Sequence, residues 1–271
     1  MAVQYLKYKL KYRPSANRLS LKEKYGVLVK NHLGRITDYM PWEEFGDMSV
    51  DSLLNEISED RIPEFILNGW NTVWEENNNR GFLNHGFNEN SMQPYVKLKY
   101  LGDLDRLKVQ IERQEGKVRL DFNSGLSQKV FEHWIDGLTL NIKKKIDFIE
   151  DPYPDCKDNY YQNVAIAFDF LPAPEGCQIK IFKPLREVFV PAKRVIVTHT
   201  MGHPIGLLIT HSIWSSLFNI NEKEIHGMLM PQIVENYDFP FKPQGNFFIR
   251  DQEVVDRLIK EMEKSEWKDL R

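Results

Sequence analysis

From residue 94 onward the chain repeats one pattern, and that pattern narrows the possible folds more than any other feature. Tyr95–Leu101 reads as a strand, followed by a helix that carries Leu104, Leu107 and Ile111 and stops at Gly116. Lys117–Asn123 reads as a second strand, followed by a helix through Val130, Phe131, Trp134 and Leu138 and then a strand from Lys145 to Glu150. Strands that alternate with helices in this way join through right-handed crossovers and build a parallel sheet, open or closed into a barrel.

The intervals then contract. Strand-like runs end near Asp169, Lys183 and Thr200, and Leu171–Cys177, between two of them, holds two prolines and a glycine. A crossover that includes its helix takes at least about 10–12 residues. The expected α/β architecture is therefore a shortened, partly helix-stripped (β/α) barrel. The full length of 271 residues agrees, since a complete eight-unit barrel takes about 250 residues by itself.

The residues before this pattern follow other periods. Leu6, Tyr8, Leu10 and Tyr12 alternate with Lys7, Lys9 and Lys11, the two-residue period of a half-buried strand. The lysines read as its solvated face rather than as an anion site. Tyr25–Lys30 and Arg35–Met40 flank Asn31–Gly34 as a hairpin. Ser49 is placed to cap a helix through Leu53, Leu54 and Ile57. Pro63 is expected at the first position of another that carries Ile66, Trp70, Val73 and Trp74 and ends within Asn77–Gly81. Trp70 and Trp74 read as a packed helix face. Pro204–Phe218 reads as an apolar helix and Asp251–Leu270 as an amphipathic one with Val254, Leu258, Met262 and Trp267. His203 and His211, on the apolar helix, read as packed or partly exposed side chains and not as ligands. The expected domains are an α+β capping domain over 1–92, a barrel over 93–221, and a segment from about 222 to 271 that packs back on the cap.

Charge and cysteine usage bound the function. With 36 Lys+Arg against 39 Asp+Glu the chain has no general basic field, which argues against nucleic acid or an anionic membrane as its main partner. Cys156 and Cys177 are too few for a disulfide framework or a zinc site and fit a reducing, cytoplasmic setting. The N-terminus has no apolar signal region, and no uncharged stretch approaches the roughly 18 residues of a membrane span. Small molecules and proteins remain as partners.

The candidate chemistry lies at strand ends. Lys97 and Lys99 share one strand face. Either they point into the barrel, or Val96, Leu98 and Tyr100 do and the lysines lie outside. Asp121, Glu150 and Asp169 each fall at the C-terminal end of a successive strand, where α/β barrels place their sites. Three converging carboxylates repel one another unless a cation offsets them. A set of oxygen ligands without His or Cys suits Mg²⁺. Lys183, at the end of the next strand, is placed to hold the other side of a metal-bound substrate. Arg119 and Asn123 flank Asp121 and can orient ligands or substrate, or serve only as structural support.

This order of residues resembles the enolase superfamily, and within it the o-succinylbenzoate synthase branch. Arg119-Leu-Asp-Phe-Asn123 is similar to the family's Arg-Leu-Asp-Ala-Asn, Phe148-Ile-Glu-Asp-Pro152 to its Glu-Glu-Pro, and Lys183-Pro184 to its Lys-Pro. Arg18–Lys30 and Gly34–Ser49 look like capping-domain strands and a mobile loop. Thr198, His199 and Thr200, followed by Met201-Gly202, look like the strand that holds the substrate.

The resemblance implies a Mg²⁺-dependent lyase of menaquinone biosynthesis acting on a small carboxylate. The reaction is dehydration of 2-succinyl-6-hydroxy-2,4-cyclohexadiene-1-carboxylate to o-succinylbenzoate through a metal-stabilised ene-diolate. It implies Lys99 as the base, with its pKa depressed by Lys97 and the metal, and Lys183 as the opposing cation. Which cap residues close over the substrate is not fixed by the sequence, and Ser15–Lys22 is the candidate segment. The chain departs from the family at Phe170-Leu171, where Asp-Glu-Ser is frequent, and at Gly202, where Glu is common. Two other functions stay open: racemisation of an N-acylamino acid or dipeptide by Lys99 and Lys183, and a non-catalytic binding protein on the same fold.

Overall fold

A computed structural model of the protein describes residues 2–12, 23–75, 80–84, 95–169, 172–217, 223–228 and 238–270. In chain order the elements are β1 (Gln4–Lys11), β2 (Glu23–Lys30), β3 (Ile36–Tyr39), α1 (Val50–Ser58), α2 (Glu64–Trp70) and β4 (Leu83–Asn84). Then come β5 (Tyr95–Lys99), α3 (Leu104–Arg113), β6 (Lys117–Asp121), α4 (Gln128–Asp136), α5 (Leu140–Lys145) and β7 (Ile146–Glu150). They are followed by β8 (Tyr160–Tyr161), β9 (Val164–Phe168), β10 (Ile179–Phe182), β11 (Arg194–Val197), α6 (Pro204–Ser216) and β12 (Ile225–His226). The last are β13 (Phe241–Gln244), β14 (Phe247–Arg250), α7 (Gln252–Lys264) and β15 (Lys268–Asp269). The Ser15–Lys22 segment and Phe170-Leu171 lie outside the described residues.

The chain forms two compact units, one of residues 1–83, 183–189 and 197–271 and the other of 84–182 and 190–196. Helix α6 falls in the first unit and residues 84–92 in the second.

In the first unit β15, β1, β2 and β3 form a four-stranded sheet in that order, antiparallel throughout. The two-residue period sends Val27, Val29 and Tyr39 to one face, where they pack against Leu53, Leu54 and Ile57 of α1 and Ile66 and Trp70 of α2. Ser49 caps α1 by accepting from the Ser52 N–H at 3.1 Å. The lysine comb is solvated, and Lys7 and Lys9 pair with Asp51 and Glu23 at 2.6 and 2.5 Å.

Helix α2 ends earlier than its apolar spacing suggested. Pro63 is its N-cap rather than its first residue, and just past its end the Thr72 hydroxyl donates to the Asn68 carbonyl at 2.7 Å. Trp70 and Trp74 are nevertheless packed, 5% and 2% exposed. The C-terminal helix also stops short of Leu270. Lys268 and Asp269 instead pair with Tyr5 and Gln4, which satisfies backbone groups on the open edge of β1. The hairpin of β13 and β14 turns at Gly245, with φ of 60°, on a Gly-Asn turn signal.

In the second unit β11, β10, β9, β7, β6 and β5 are neighbours in that order. The pairs from β5 to β10 are parallel, with β8 added antiparallel to β9. Helices α3, α4 and α5 cover one face, capped by Asp103, Ser127 and Thr139. Among the described residues no helix lies between β7 and β11, so the barrel is shortened and stripped as expected. The helix-covered face buries Val96, Leu98, Val118 and Leu120 against Leu107, Ile111, Phe131 and Ile135. The other face carries a smaller cluster of Phe148, Ala167, Ile179, Ile181 and Ile196. No helix among the described residues is long and apolar enough to cross a membrane.

Candidate active site

Parallel register decides which way the two lysines point. Lys97 lies beside Arg119 and Lys99 beside Asp121, Asp121 lies beside Glu150, and Glu150 beside Ala167. Since paired residues of adjacent strands share a face, this set occupies the face away from the helices. Val96 and Leu98 occupy the helix side. The inward reading of the lysines is the one the structure adopts.

The charges meet in one buried cluster. The Lys97 ammonium lies 2.8 Å from each Glu150 oxygen and 3.0 Å from Asp121 Oδ2, and Lys99 Nζ lies 3.6 Å from the same Asp121 oxygen. Lys97, Asp121 and Glu150 are 7%, 2% and 2% exposed. Burial works against the charged form of Lys97, but Asp121 and Glu150 outweigh it and hold the ammonium above the ordinary lysine range. For Lys99 burial prevails: it lowers the pKa, Asp121 opposes, and Lys97 adds to the lowering. The direction is that expected of a base, with burial rather than the neighbouring lysine as the leading cause.

Arg119 and Asn123 support the cluster in this geometry. The β6–β7 register shifts between Val118 and Arg119, which pair with Ile146 and Phe148. Asp147 is thus the extra residue of a bulge, and such a residue is re-aimed. Arg119 Nε donates to Asp147 Oδ2 at 2.9 Å, and Arg194 Nη1 donates to Oδ1 at 3.0 Å. The Arg119 guanidinium also lies 4.8 Å from the Phe148 ring centre and 5.1 Å from that of Tyr95. Arg119 sits one pleat below Asp121, fully buried, as a floor to the charged cluster. Asn123 lies just past β6 with φ of 45°, its N–H donating to Asp121 Oδ1 at 3.2 Å, which fixes the carboxylate.

Asp169 is held by its backbone. Its N–H donates to Asp151 Oδ1 at 3.1 Å, and Lys180 Nζ donates to its carbonyl at 2.9 Å. Asp151, 1% exposed with φ of 41°, also accepts the Ser124 N–H on its own carbonyl at 2.7 Å. Left-handed backbone at three non-glycine residues, Asn123, Ser124 and Asp151, is the kind of strain that gathers at functional sites. Asp147, Asp151 and Lys180 went unnoticed in the sequence. Only Asp151 carried a signal there, as the second acid of Glu150-Asp-Pro152.

The carboxylates are a partial fit to a hard dication. Asp121 and Glu150 already converge on one cation and offer only oxygen donors, which suits Mg²⁺. Among the described residues no three Asp, Glu, His or Cys side chains gather as a ligand set. Asp169, the expected third ligand, is at the end of the adjacent strand but is not grouped with the other two.

Lys183, Thr198, His199 and Thr200 fall in the first unit. Lys183 follows β10, and its N–H donates to Glu187 Oε1 at 3.0 Å. The Thr198, His199 and Thr200 side chains are buried, and Thr198 Oγ1, His199 Nε2 and Thr200 Oγ1 have no hydrogen-bond partner among the described residues. Buried polar atoms without partners are rare and call for an explanation. Burial, aided by His203, lowers the His199 pKa to about 3, so its ring is a neutral donor and acceptor.

Comparison with known proteins gives the same likeness from three directions. Residues 3–70 match the family model described as o-succinylbenzoate synthase, N-terminal domain. An o-succinylbenzoate synthase of Bdellovibrio bacteriovorus is 26% identical over 76% of this chain and 78% of its own. The crystal structure of o-succinylbenzoate synthase from Thermosynechococcus elongatus BP-1, with Mg in the active site, superposes with a TM-score of 0.69 at 13% identity, covering 96% of this chain and 100% of that one. The L-Ala-D/L-Glu epimerase of Bacillus subtilis superposes at 0.64 with 12% identity, over 92% of this chain and 95% of that one. The dipeptide epimerase of Cytophaga hutchinsonii, complexed with Mg and a dipeptide, superposes at 0.63 with 12% identity, over 100% of this chain and 99% of that one.

The fold, an antiparallel N-terminal sheet and a parallel half-barrel, is that of these solved synthase and epimerase structures. The resemblance to o-succinylbenzoate synthases is borne out, because the matches made by sequence point to them.

Proposed function

We propose that this chain is a Mg²⁺-dependent carbon-oxygen lyase that dehydrates 2-succinyl-6-hydroxy-2,4-cyclohexadiene-1-carboxylate to o-succinylbenzoate, in the menaquinone pathway of the cytoplasm. The observation that carries this reading is the buried Lys97–Asp121–Glu150 cluster with Lys99 beside it, in a chain whose sequence matches point to the synthases. Lys99 Nζ takes the proton from the carbon next to the ring carboxylate, and the electrons of that C–H bond enter the ring. Lys99 then returns the proton to the departing hydroxide as the C–O bond breaks, so water leaves and the ring becomes aromatic. Burial favours the neutral amine that the first step needs.

Asp121, Glu150 and Asp169 would hold Mg²⁺, which supplies positive charge to the substrate carboxylate as it becomes more negative. Lys183 would stand as a fixed cation, and Thr198, His199, Thr200, Arg119 and Asn123 would bind substrate or hold its binding groups in place. Residues 1–92 would act as the cap and 93–221 as the barrel.

Purified protein with Mg²⁺ should form o-succinylbenzoate, read by the absorbance of the aromatic product. Lys99→Ala should lower kcat at least about 10³-fold, the scale of a positioned acid-base group, with Mg²⁺ affinity kept within a few-fold. Full turnover in Lys99→Ala refutes the assigned base. Dipeptide epimerisation is the competing activity, because epimerases share the fold. Deuterium exchange and inversion at a dipeptide α-carbon, without dehydration of the cyclohexadiene, would establish it in place of the synthase.

A further inference from the structure

The backbone of residues 200–203, directly after the three unpartnered side chains, is held almost wholly by side chains from the N-terminal sheet and the loop after it. Trp42 Nε1 donates to the Thr200 carbonyl at 2.9 Å, and the Tyr12 hydroxyl donates to the Met201 carbonyl at 2.6 Å. The His203 N–H donates to Asp38 Oδ2 at 3.0 Å and lies 3.1 Å from the Tyr8 oxygen, while the Tyr8 hydroxyl donates to Asp38 Oδ1 at 2.6 Å. Tyr8, Tyr12, Asp38 and Trp42 are all buried, Asp38 to 1% exposure. Lys24 backs the group, with its ammonium 3.4 Å from the centre of the Trp42 ring and 2.6 Å from Glu44 Oε1.

These contacts meet a segment that cannot satisfy itself. Met201 is left-handed, with φ of 61°, a conformation that a non-glycine residue holds only when its surroundings impose it. The turn carries Thr200 into the start of α6, so neither the carbonyls of 200 and 201 nor the N–H of 203 has a partner of regular secondary structure. The fit is close: a Cβ at Gly202 or at Gly206 would overlap Asp38 Oδ2.

We propose that Tyr8, Tyr12, Asp38 and Trp42 are positioning residues, a clamp from the N-terminal sheet that fixes the Met201 turn and thereby the directions in which Thr198, His199 and Thr200 present their free polar atoms. The role of those three side chains as substrate contacts rests on the function proposed above. The clamp couples the N-terminal sheet to substrate affinity through backbone hydrogen bonds at carbonyls 200 and 201 and N–H 203. None of its four side chains touches substrate.

Tyr12→Phe tests this with the least disturbance, since it deletes one hydrogen bond and keeps the ring; Trp42→Phe deletes the bond to the Thr200 carbonyl and also trims the indole to a phenyl, so it is the harsher second variant. Amide exchange, measured without ligand, should quicken at least 10-fold at His203 in both variants and stay unchanged in β5 and β6. The dissociation constant for o-succinylbenzoate, read by calorimetry in excess Mg²⁺, should rise about 5- to 10-fold, KM should rise with it, and kcat and Mg²⁺ affinity should hold within 2-fold. Unchanged exchange at His203 overturns the clamp. Quickened exchange with unchanged product and substrate affinity overturns its positioning role. A wild-type protein that neither binds nor forms o-succinylbenzoate overturns the functional reading instead, and is told apart because the exchange measurement needs no ligand.

Discussion

Replacing Lys97 by Ala tests whether the charged cluster is held together as the geometry indicates. Its ammonium is 2.8 Å from Glu150 and 3.0 Å from Asp121. At an effective dielectric of about 20 each contact is a gross attraction of about 5–6 kcal/mol. Much of that is offset by the cost of taking three charges out of water, and the side chains are only 8%, 3% and 2% exposed. Removing one member of such a buried set leaves the others uncompensated, at a net cost of about 3–5 kcal/mol. For a chain of this length each kcal/mol moves the melting temperature by about 2 °C, so Lys97→Ala should melt roughly 6–10 °C below the parent in excess chelator at pH 7.5. Added Mg²⁺ should raise the variant's melting temperature more than the parent's, because the variant's two carboxylates have lost their resident cation. A variant that melts within 1 °C of the parent in chelator would refute the reasoning, as would Mg²⁺ stabilising both proteins equally.

Two further outcomes follow from buried carboxylates. Burial pushes the Asp38 carboxyl from 3.8 up to about 7, against hydrogen bonds from Tyr8 and His203 that favour the charged form. The folded protein therefore binds this proton more tightly than the unfolded chain. The contribution is complete below pH 3.8 and is lost as pH rises through about 7, a difference on the order of 4 kcal/mol. Relative to Asp38→Asn, the parent should lose stability to urea between pH 4 and pH 8; parallel curves would refute this. Asp151→Ala removes the acceptor for the Asp169 N–H and should weaken Mg²⁺ binding about 10- to 100-fold, the usual effect of an outer-sphere support. Titration calorimetry checks this, and unchanged affinity would mean that Asp169 is held by other contacts.

What the sequence made legible was what short stretches encode. The strand–helix alternation, the Ser49 cap and the loss of helices after Glu150 each rest on patterns within about twenty residues, and all are in the structure. The charged strand ends were visible in the same way. The facing of Lys97 and Lys99 was not, because alternation leaves both faces equivalent until the neighbouring strands sort them, and here Leu107 and Ile111 claim Val96 and Leu98. Asp147 was hidden for a related reason: a bulge is a property of two strands, and a single sequence shows one strand at a time. Lys268–Asp269 joins the edge of β1 from the far end of the chain, a pairing that no local period encodes. Helix α2 ends at Trp70 although the apolar spacing runs on to Val73 and Trp74, because that spacing marks which side chains are apolar and not where the backbone leaves the helix.

The close fit of Asp38 against Gly202 has a meaning for how such a chain changes over generations. A carboxylate from β3 fills much of the space that a side chain at position 202 would take. Asp38 is the nearest obstacle to alanine at 202, with Met40 Cβ and the Tyr8 hydroxyl next at 3.0 Å. A shorter residue at 38 removes the severest overlap and leaves close contacts that small shifts relieve. A side chain at 202 therefore asks for a change at 38, and the two positions should vary as a pair.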